Sequence, residues 1–226
     1  MNPDLVNGAA LAVFAGCVAL YAAVLRRSLQ DPVTAKRGLL NLLYRAWVTR
    51  VSDMKETIVG VQSMRNLIMS TTFLSSAILL LLGLLVRNSE DWIDLTGAPA
   101  HIMEAKLLLL FGVLVFALMM FLLSLRHMVR FTILIGVPPE DIERMACKLE
   151  NGSEGELEHQ PLRQKVFERA MHRFTFGIRA IYYLMAVILW FVNPYAFVGA
   201  VLVITALLIF YQDVKTPCPD EEEAPI

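Results

Sequence analysis

Five long apolar runs constrain this chain more than any other feature of its sequence. They cover residues 5–25, 67–86, 107–125, 174–192 and 195–212. A hydrocarbon core about 30 Å thick takes about 20 helical residues to cross, and a run of that length with few charges indicates a transmembrane helix. The apolar share of 57% and the mean hydropathy of +0.57 agree. The sequence therefore predicts an all-α, polytopic membrane helix bundle with about five transmembrane helices.

The predicted organisation is one membrane domain, residues 1–212, followed by an acidic tail at 213–226 that we expect to be disordered. Within the domain the second and third helices extend beyond their apolar runs, and Asn193-Pro194 separates the last two, because proline disfavours a helical residue before it. The predicted spans are 5–25, 57–86, 101–130, 174–192 and 195–212, with a loop at 137–173.

The distribution of charge predicts the orientation of the spans. Lysine and arginine are concentrated in 26–57 and 137–173, whereas the connection at 87–100 is mainly acidic. An excess of Lys and Arg marks cytoplasmic segments. We therefore expect a multi-pass plasma-membrane protein with its N-terminus outside, its basic segments and C-terminus in the cytoplasm. The net charge of -1 gives no reason to expect a nucleic-acid partner.

Residues 38–54 are predicted to form an amphipathic helix on the inner membrane surface. Its apolar side chains recur every three to four positions. Two placements are open, one at the level of the lipid headgroups and one against the helix bundle. The apolar positions are Leu40, Leu43, Trp47, Val51 and Met54.

Small residues recur every fourth position in the first span, which places them on shared helix faces where another helix can approach closely. Two interpretations are open, packing within the monomer and a homo-oligomer interface. The two sets are Gly8, Ala12 and Gly16, and Ala15, Ala19 and Ala23.

The sequence shows no catalytic or metal-binding motif. It contains no GxSxG, HExxH, Walker or GxGxxG pattern, and its three cysteines and four histidines have no metal-ligand spacing. We therefore expect no enzymatic activity, no metal and no cofactor.

Arginine occurs in or next to three predicted spans, at positions where ionisable residues are costly and are functional candidates. No acidic residue lies at matching depth in a span, and the rigid fork of arginine suits a phosphate or carboxylate. Polar neighbours on the same helices extend this predicted arginine collar. The candidate ligand-binding residues are Gln62, Arg65, Asn66, Arg126, His127, Arg130 and Arg179.

Several segments resemble the domain of unknown function 599 family, multi-pass membrane proteins of plants and prokaryotes. The most specific is Val61-Gln-Ser-Met-Arg-Asn-Leu-Ile-Met-Ser70, followed by Ser124-Leu-Arg126 with Arg130-Phe131, and by Arg179-Ala-Ile-Tyr-Tyr183 through Leu189-Trp-Phe191. The resemblance covers most of the chain outside the middle of the loop and the tail. It implies an integral membrane protein without assigning an activity, and it places the arginines in the matching segments.

Two functions are consistent with these features. The first is a channel or transporter-like protein for an anionic solute, with the arginine collar as its inner vestibule. The alternative is a non-transporting membrane scaffold or a protein that binds lipid headgroups. In both, the lipid bilayer is the surrounding partner and the ligand is anionic.

Overall fold

The computed structural model describes residues 3–30, 36–53, 57–88, 99–137 and 159–213. No strand occurs in these ranges, which confirms the all-α prediction. The elements are α1 (Pro3–Gln30), α2 (Lys36–Asp53), α3 (Thr57–Arg87), α4 (Ala100–Gly136), α5 (His159–Val192) and α6 (Pro194–Leu207), with a π-helical turn at Leu208–Asp213.

Four of these helices, α1, α3, α4 and α5, are long and apolar enough to cross a membrane. The fifth apolar helix, Pro194–Phe210, is shorter, at the lower end of the range of about 17–25 residues that a span needs. The structure is therefore consistent with the predicted membrane helix bundle. The acidic tail, apart from its first residue, and the middle of the 137–173 loop lie outside the described residues.

The predicted turn between the last two apolar runs is confirmed at Asn193. Its backbone is extended, with φ -155° and ψ 126°. Its side-chain Oδ1 accepts a hydrogen bond of 2.9 Å from the backbone N–H of Tyr195. Asn193 thus ends α5 and caps α6, where proline at the first position needs no N–H partner.

A buried cation on each helix of the central α4–α5 pair binds the C-terminal end of the other. Arg163, near the start of α5, donates from Nη2 to the carbonyl of Val137 at 2.7 Å. Lys106, near the start of α4, donates from Nζ to the carbonyl of Trp190 at 2.9 Å. The last carbonyls of a helix lack intrahelical partners and carry partial negative charge, so cations stabilise them. The two contacts hold the antiparallel pair in register.

The middle of the same pair is closely packed. Ser124 Oγ donates to the carbonyl of Ala170 at 2.7 Å. Phe121 lies one helical turn from Ser124 in α4, and its ring faces Gly177 of α5. The nearest ring atom lies 2.6 Å from where a Cβ at Gly177 would be. Serine and glycine allow close approach of membrane helices, and here they bring the α4 and α5 backbones together.

The third helix packs on α4 along one face only. The buried side chains on that face are Met64, Thr71, Ser75 and Ile78. The two buried hydroxyls donate to carbonyls one turn earlier in α3, those of Leu67 and Thr71. Their polarity is satisfied within the helix, so the α3–α4 contact depends on shape complementarity.

The amphipathic helix α2 packs against the start of α5. Trp47 lies 5.1 Å from the ring of Phe167, and Val51 is buried. Arg45 forms a salt bridge of 2.6 Å with Glu168, whose hydrogen bond and charge raise the pKa of Arg45. The helix α2 therefore packs against the bundle, and its position at the level of the lipid headgroups stays a prediction. Of the predicted apolar positions, Trp47 and Val51 pack against the bundle and Leu40 and Leu43 are exposed; Met54 is outside the described residues.

The first helix contacts the bundle through larger side chains than predicted. It buries Ala10, Cys17, Tyr21 and Leu25, and Phe14 lies 5.8 Å from the ring of Phe197 in α6. All six small residues of the predicted faces are exposed. The interpretation as packing within the monomer is therefore wrong, since larger side chains on the opposite face make the contact. Association through the small-residue face stays a prediction.

Candidate anion-binding site

Basic residues towards the two ends of the central helix pair are spaced to match a bilayer. Lys106 and Arg126 are separated by about 30 Å along α4 at 1.5 Å per residue, which matches the thickness of the hydrocarbon core. Trp190 accompanies Lys106 at one end, and tryptophan is enriched at membrane interfaces. Arg126 then lies at the level of the opposite headgroups.

Four arginines lie near a buried histidine at that opposite end. Arg126 and Arg130 come from α4, and Arg169 and Arg173 come from α5. The charge of each of the four acts on the ring of His127. We call these four arginines with His127 the basic cluster.

The histidine of the basic cluster is almost fully enclosed. His127 is 7% exposed, and within the described ranges neither Nδ1 nor Nε2 has a hydrogen-bond partner. Buried polar atoms in folded proteins are nearly always hydrogen-bonded to protein, water or ligand. Both ring nitrogens are therefore available to a polar group that reaches them.

The four arginines make no ion pair with the part of the chain that the structure describes. The nearby Glu168 is hydrogen-bonded to Arg45 of α2. Three of the four are exposed, and Arg173 is half-buried. The cluster thus presents concentrated positive charge at an accessible surface.

Three predicted site residues lie apart from the basic cluster. Gln62, Arg65 and Asn66 are all exposed, and they lie on α3 away from the face that Met64 and Thr71 pack against α4. Positions one or two residues from a buried one point about 100° or 200° away from it. Arg65 is not among the arginines whose charge acts on His127, and ligand binding by these three residues stays a prediction.

The last predicted site residue, Arg179, lies about midway along α5 between the basic cluster and Trp190. Along α5 it is about 15 Å from Arg169 and about 17 Å from Trp190. It is 5% exposed, and its guanidinium carbon lies 5.1 Å from the centre of the Tyr21 ring. A cation over an aromatic face is stabilised by the ring quadrupole, so α1 contributes to holding this charge inside the bundle.

Sequence reasoning noted Arg169 and Arg173 only as part of a basic segment. Their spacing of four is the same as that of Arg126 and Arg130, and this spacing places each pair on one helix face. That the two arginine pairs lie next to each other could be known only from the antiparallel packing of α4 and α5. The hydrogen bonds of Lys106 and Arg163 to the last carbonyls of the opposite helix could not be inferred from residue spacing, because both depend on which helix end lies opposite.

No cluster of three metal-ligating side chains occurs among the described residues. The family model described as protein of unknown function, DUF599, matches residues 9–217. The chain belongs to this family. Comparisons of this DUF599 member with curated proteins and with solved structures found no match. The family assignment and the four long apolar helices support a membrane protein.

Proposed function

We propose that this protein binds anionic lipid headgroups at the basic cluster. The observation that carries the proposal is the proximity of four arginines from two adjacent helices to one buried imidazole, with no ion pair among the described residues. Arginine presents several N–H donors in a planar fork that fits phosphate oxygens in pairs. A phosphate group would supply the negative charge that this end of the α4–α5 pair lacks.

The depth of the basic cluster favours a headgroup as the source of that phosphate. Arg126 is about 30 Å from Lys106 along α4, so the cluster lies at the phosphate level when Lys106 lies at the other interface. Anionic leaflets attract Lys and Arg at this level by about 1 kcal/mol per residue. Inorganic phosphate shares the same chemistry, and the experiment below separates the two sources.

The residues between the basic cluster and Arg179 favour binding over permeation. The rings of Phe121 and Phe174 lie there with their centres 5.8 Å apart, and Phe121 is fully buried. These two packed aromatic rings make the α4–α5 contact apolar at this level between the two charged regions. Transport of an anionic solute, the first function inferred from the sequence, therefore stays a prediction.

We expect the double variant R126Q/R169Q to lose most of the protein's preference for anionic lipid. In nanodiscs of phosphatidylcholine with a minor fraction of phosphatidylglycerol, the wild type should retain phosphatidylglycerol preferentially. Losing two of the four charges, at about 1 kcal/mol each, should lower that preference about thirtyfold, equivalent to ~2 kcal/mol. The measurement is the association of spin-labelled phosphatidylglycerol relative to spin-labelled phosphatidylcholine.

The variant R65Q is the matched control, since it removes one exposed arginine at the same end of the bundle but outside the cluster. Its lipid preference should stay close to wild type. Equal losses of lipid preference in R65Q and R126Q/R169Q would contradict a specific site and indicate that the overall positive charge determines the preference. Displacement of the labelled lipid by millimolar inorganic phosphate would identify free phosphate as the ligand, and anion flux that R126Q/R169Q abolishes would favour transport.

A further inference from the structure

An apolar groove of about 650 Å³ runs along the membrane region between α1, α4 and α5. Its volume is within the range of about 300–1,000 Å³ typical of ligand pockets. The groove forms because α1 leans on α6, through Phe14 and Phe197, and leaves a gap beside α4. Representative lining residues are Leu11, Leu25, Leu108, Phe116, Phe176 and Arg179.

A single fixed positive charge lines this groove. The only other polar side chains in its wall are Tyr21 and Tyr183. Tyr21 lies against the guanidinium of Arg179. The hydroxyl of Tyr183 is 3.1 Å from that of Thr205, which itself donates to the carbonyl of Val201; Tyr183 is therefore the donor in their bond. Arg179 is the group that would determine which charge the groove accepts.

The charge lies at one end of the groove. Along α4 the wall extends from Ala105 to Phe116, about 17 Å at 1.5 Å per residue. The antiparallel pairing of Lys106 with Trp190 places Arg179 opposite the Phe116 end. The rest of the groove, towards Ala105, is walled by aliphatic and aromatic side chains. One end therefore suits an anion, and the remaining length suits a hydrocarbon chain.

We propose that this groove binds an amphiphilic monoanion, a long apolar molecule with one acidic group. The acidic group contacts Arg179, and the apolar body lies between α1 and α4. The proposal goes beyond headgroup binding and uses none of the residues of the basic cluster. An arginine at mid-membrane depth is costly and normally faces a partner or a ligand pathway, and an anionic ligand would offset that cost. An ordinary lipid chain would fill the same volume without using the charge.

The test compares two photoactivatable probes of equal chain length, a dodecanoate and a dodecanol, on the full-length protein in nanodiscs. Saturable labelling is measured, and the labelled peptides are mapped by mass spectrometry. We expect dodecanoate to label α1 and α4 with a half-saturating concentration at least tenfold lower than that of dodecanol. R179M should abolish this difference, whereas R179K should retain part of it.

Two further variants make the result independent of whether R179M folds. A Cβ at Gly112, in the groove wall, has no heavy atom within 4 Å, so G112L should project into the groove and lower dodecanoate labelling at least tenfold. R126Q/R169Q should leave dodecanoate labelling unchanged, even if its headgroup preference is lost. Equal labelling by both probes, or dodecanoate labelling that G112L leaves intact, would overturn the proposal and indicate nonspecific chain binding.

Discussion

Replacing Trp190 by alanine should lower the free energy of unfolding by about 3 kcal/mol. Trp190 is 2% exposed and joins four helices at one end of the bundle. Its ring stacks on Phe197 of α6 at 4.9 Å and lies under Lys106 of α4. Its Nε1 donates to Oδ1 of Asn7 in α1 at 3.0 Å. Truncating a buried tryptophan costs about 3–5 kcal/mol in soluble proteins.

The lower end of that range is expected here because an unfolded helix in a bilayer remains in an apolar environment. The loss is then mainly of packing and of the hydrogen bond. Unfolding by sodium dodecyl sulfate in mixed micelles, followed by circular dichroism, gives the change in free energy. L189A is the matched control, since Leu189 is 41% exposed and should cost little.

A conservative variant separates the two contributions of Trp190. W190F retains an aromatic ring beside Phe197 but loses the donor to Asn7, so it should cost about 0.6 kcal/mol, the average for hydrogen bonds between membrane helices. In N7A the same bond is absent, and W190F should then cost less. A full loss of 3 kcal/mol in W190F would contradict packing as the main contribution.

The second large effect is expected for G177A, which should lower the free energy of unfolding by about 1–3 kcal/mol. A Cβ at this position would lie 2.6 Å from the Phe121 ring. That ring is fully buried and packs on Phe174, so it cannot rotate away cheaply. The α4 and α5 helices must separate or the ring must leave its rotamer, and either loses contacts along the central pair.

The same substitution at Gly199 is the control for the change from glycine to alanine itself. Gly199 lies in α6, is exposed, and has no heavy atom within 4 Å of a Cβ. G199A should be neutral or slightly stabilising, because alanine favours helix over glycine by about 1 kcal/mol in water. Equal stability of G177A and G199A in the unfolding titration would show that the two helices approach less closely than the structure indicates.

Properties that depend on neighbouring residues in the chain were predictable. The apolar runs locate the long helices because each needs about 20 residues to cross the bilayer, and Asn193-Pro194 located the last turn because the effect of proline on the preceding residue is local. Periodicity predicted an apolar face on α2, but it did not identify α5 as the neighbour against which Trp47 packs.

For the candidate site, the sequence identified Arg126, His127, Arg130 and Arg179 as residue types that are costly in a membrane. Helical spacing also placed Arg126 and Arg130 on one face. The presence of Arg169 and Arg173 beside them was not predictable, because it follows from the antiparallel pairing of α4 and α5. Arg65 has the same local character but is not among the charges that act on His127.

The sequence by itself determined that this protein is a helical membrane protein of the DUF599 family, since burial in a bilayer demands long apolar helices with internally satisfied backbones. Only the tertiary structure decided which charges meet. It placed four arginines around His127, enclosed Arg179 beside Tyr21, and directed Lys106 and Arg163 to opposite helix ends. The physical reason is that contacts between helices depend on register and rotation, which the apolar pattern of each helix leaves open.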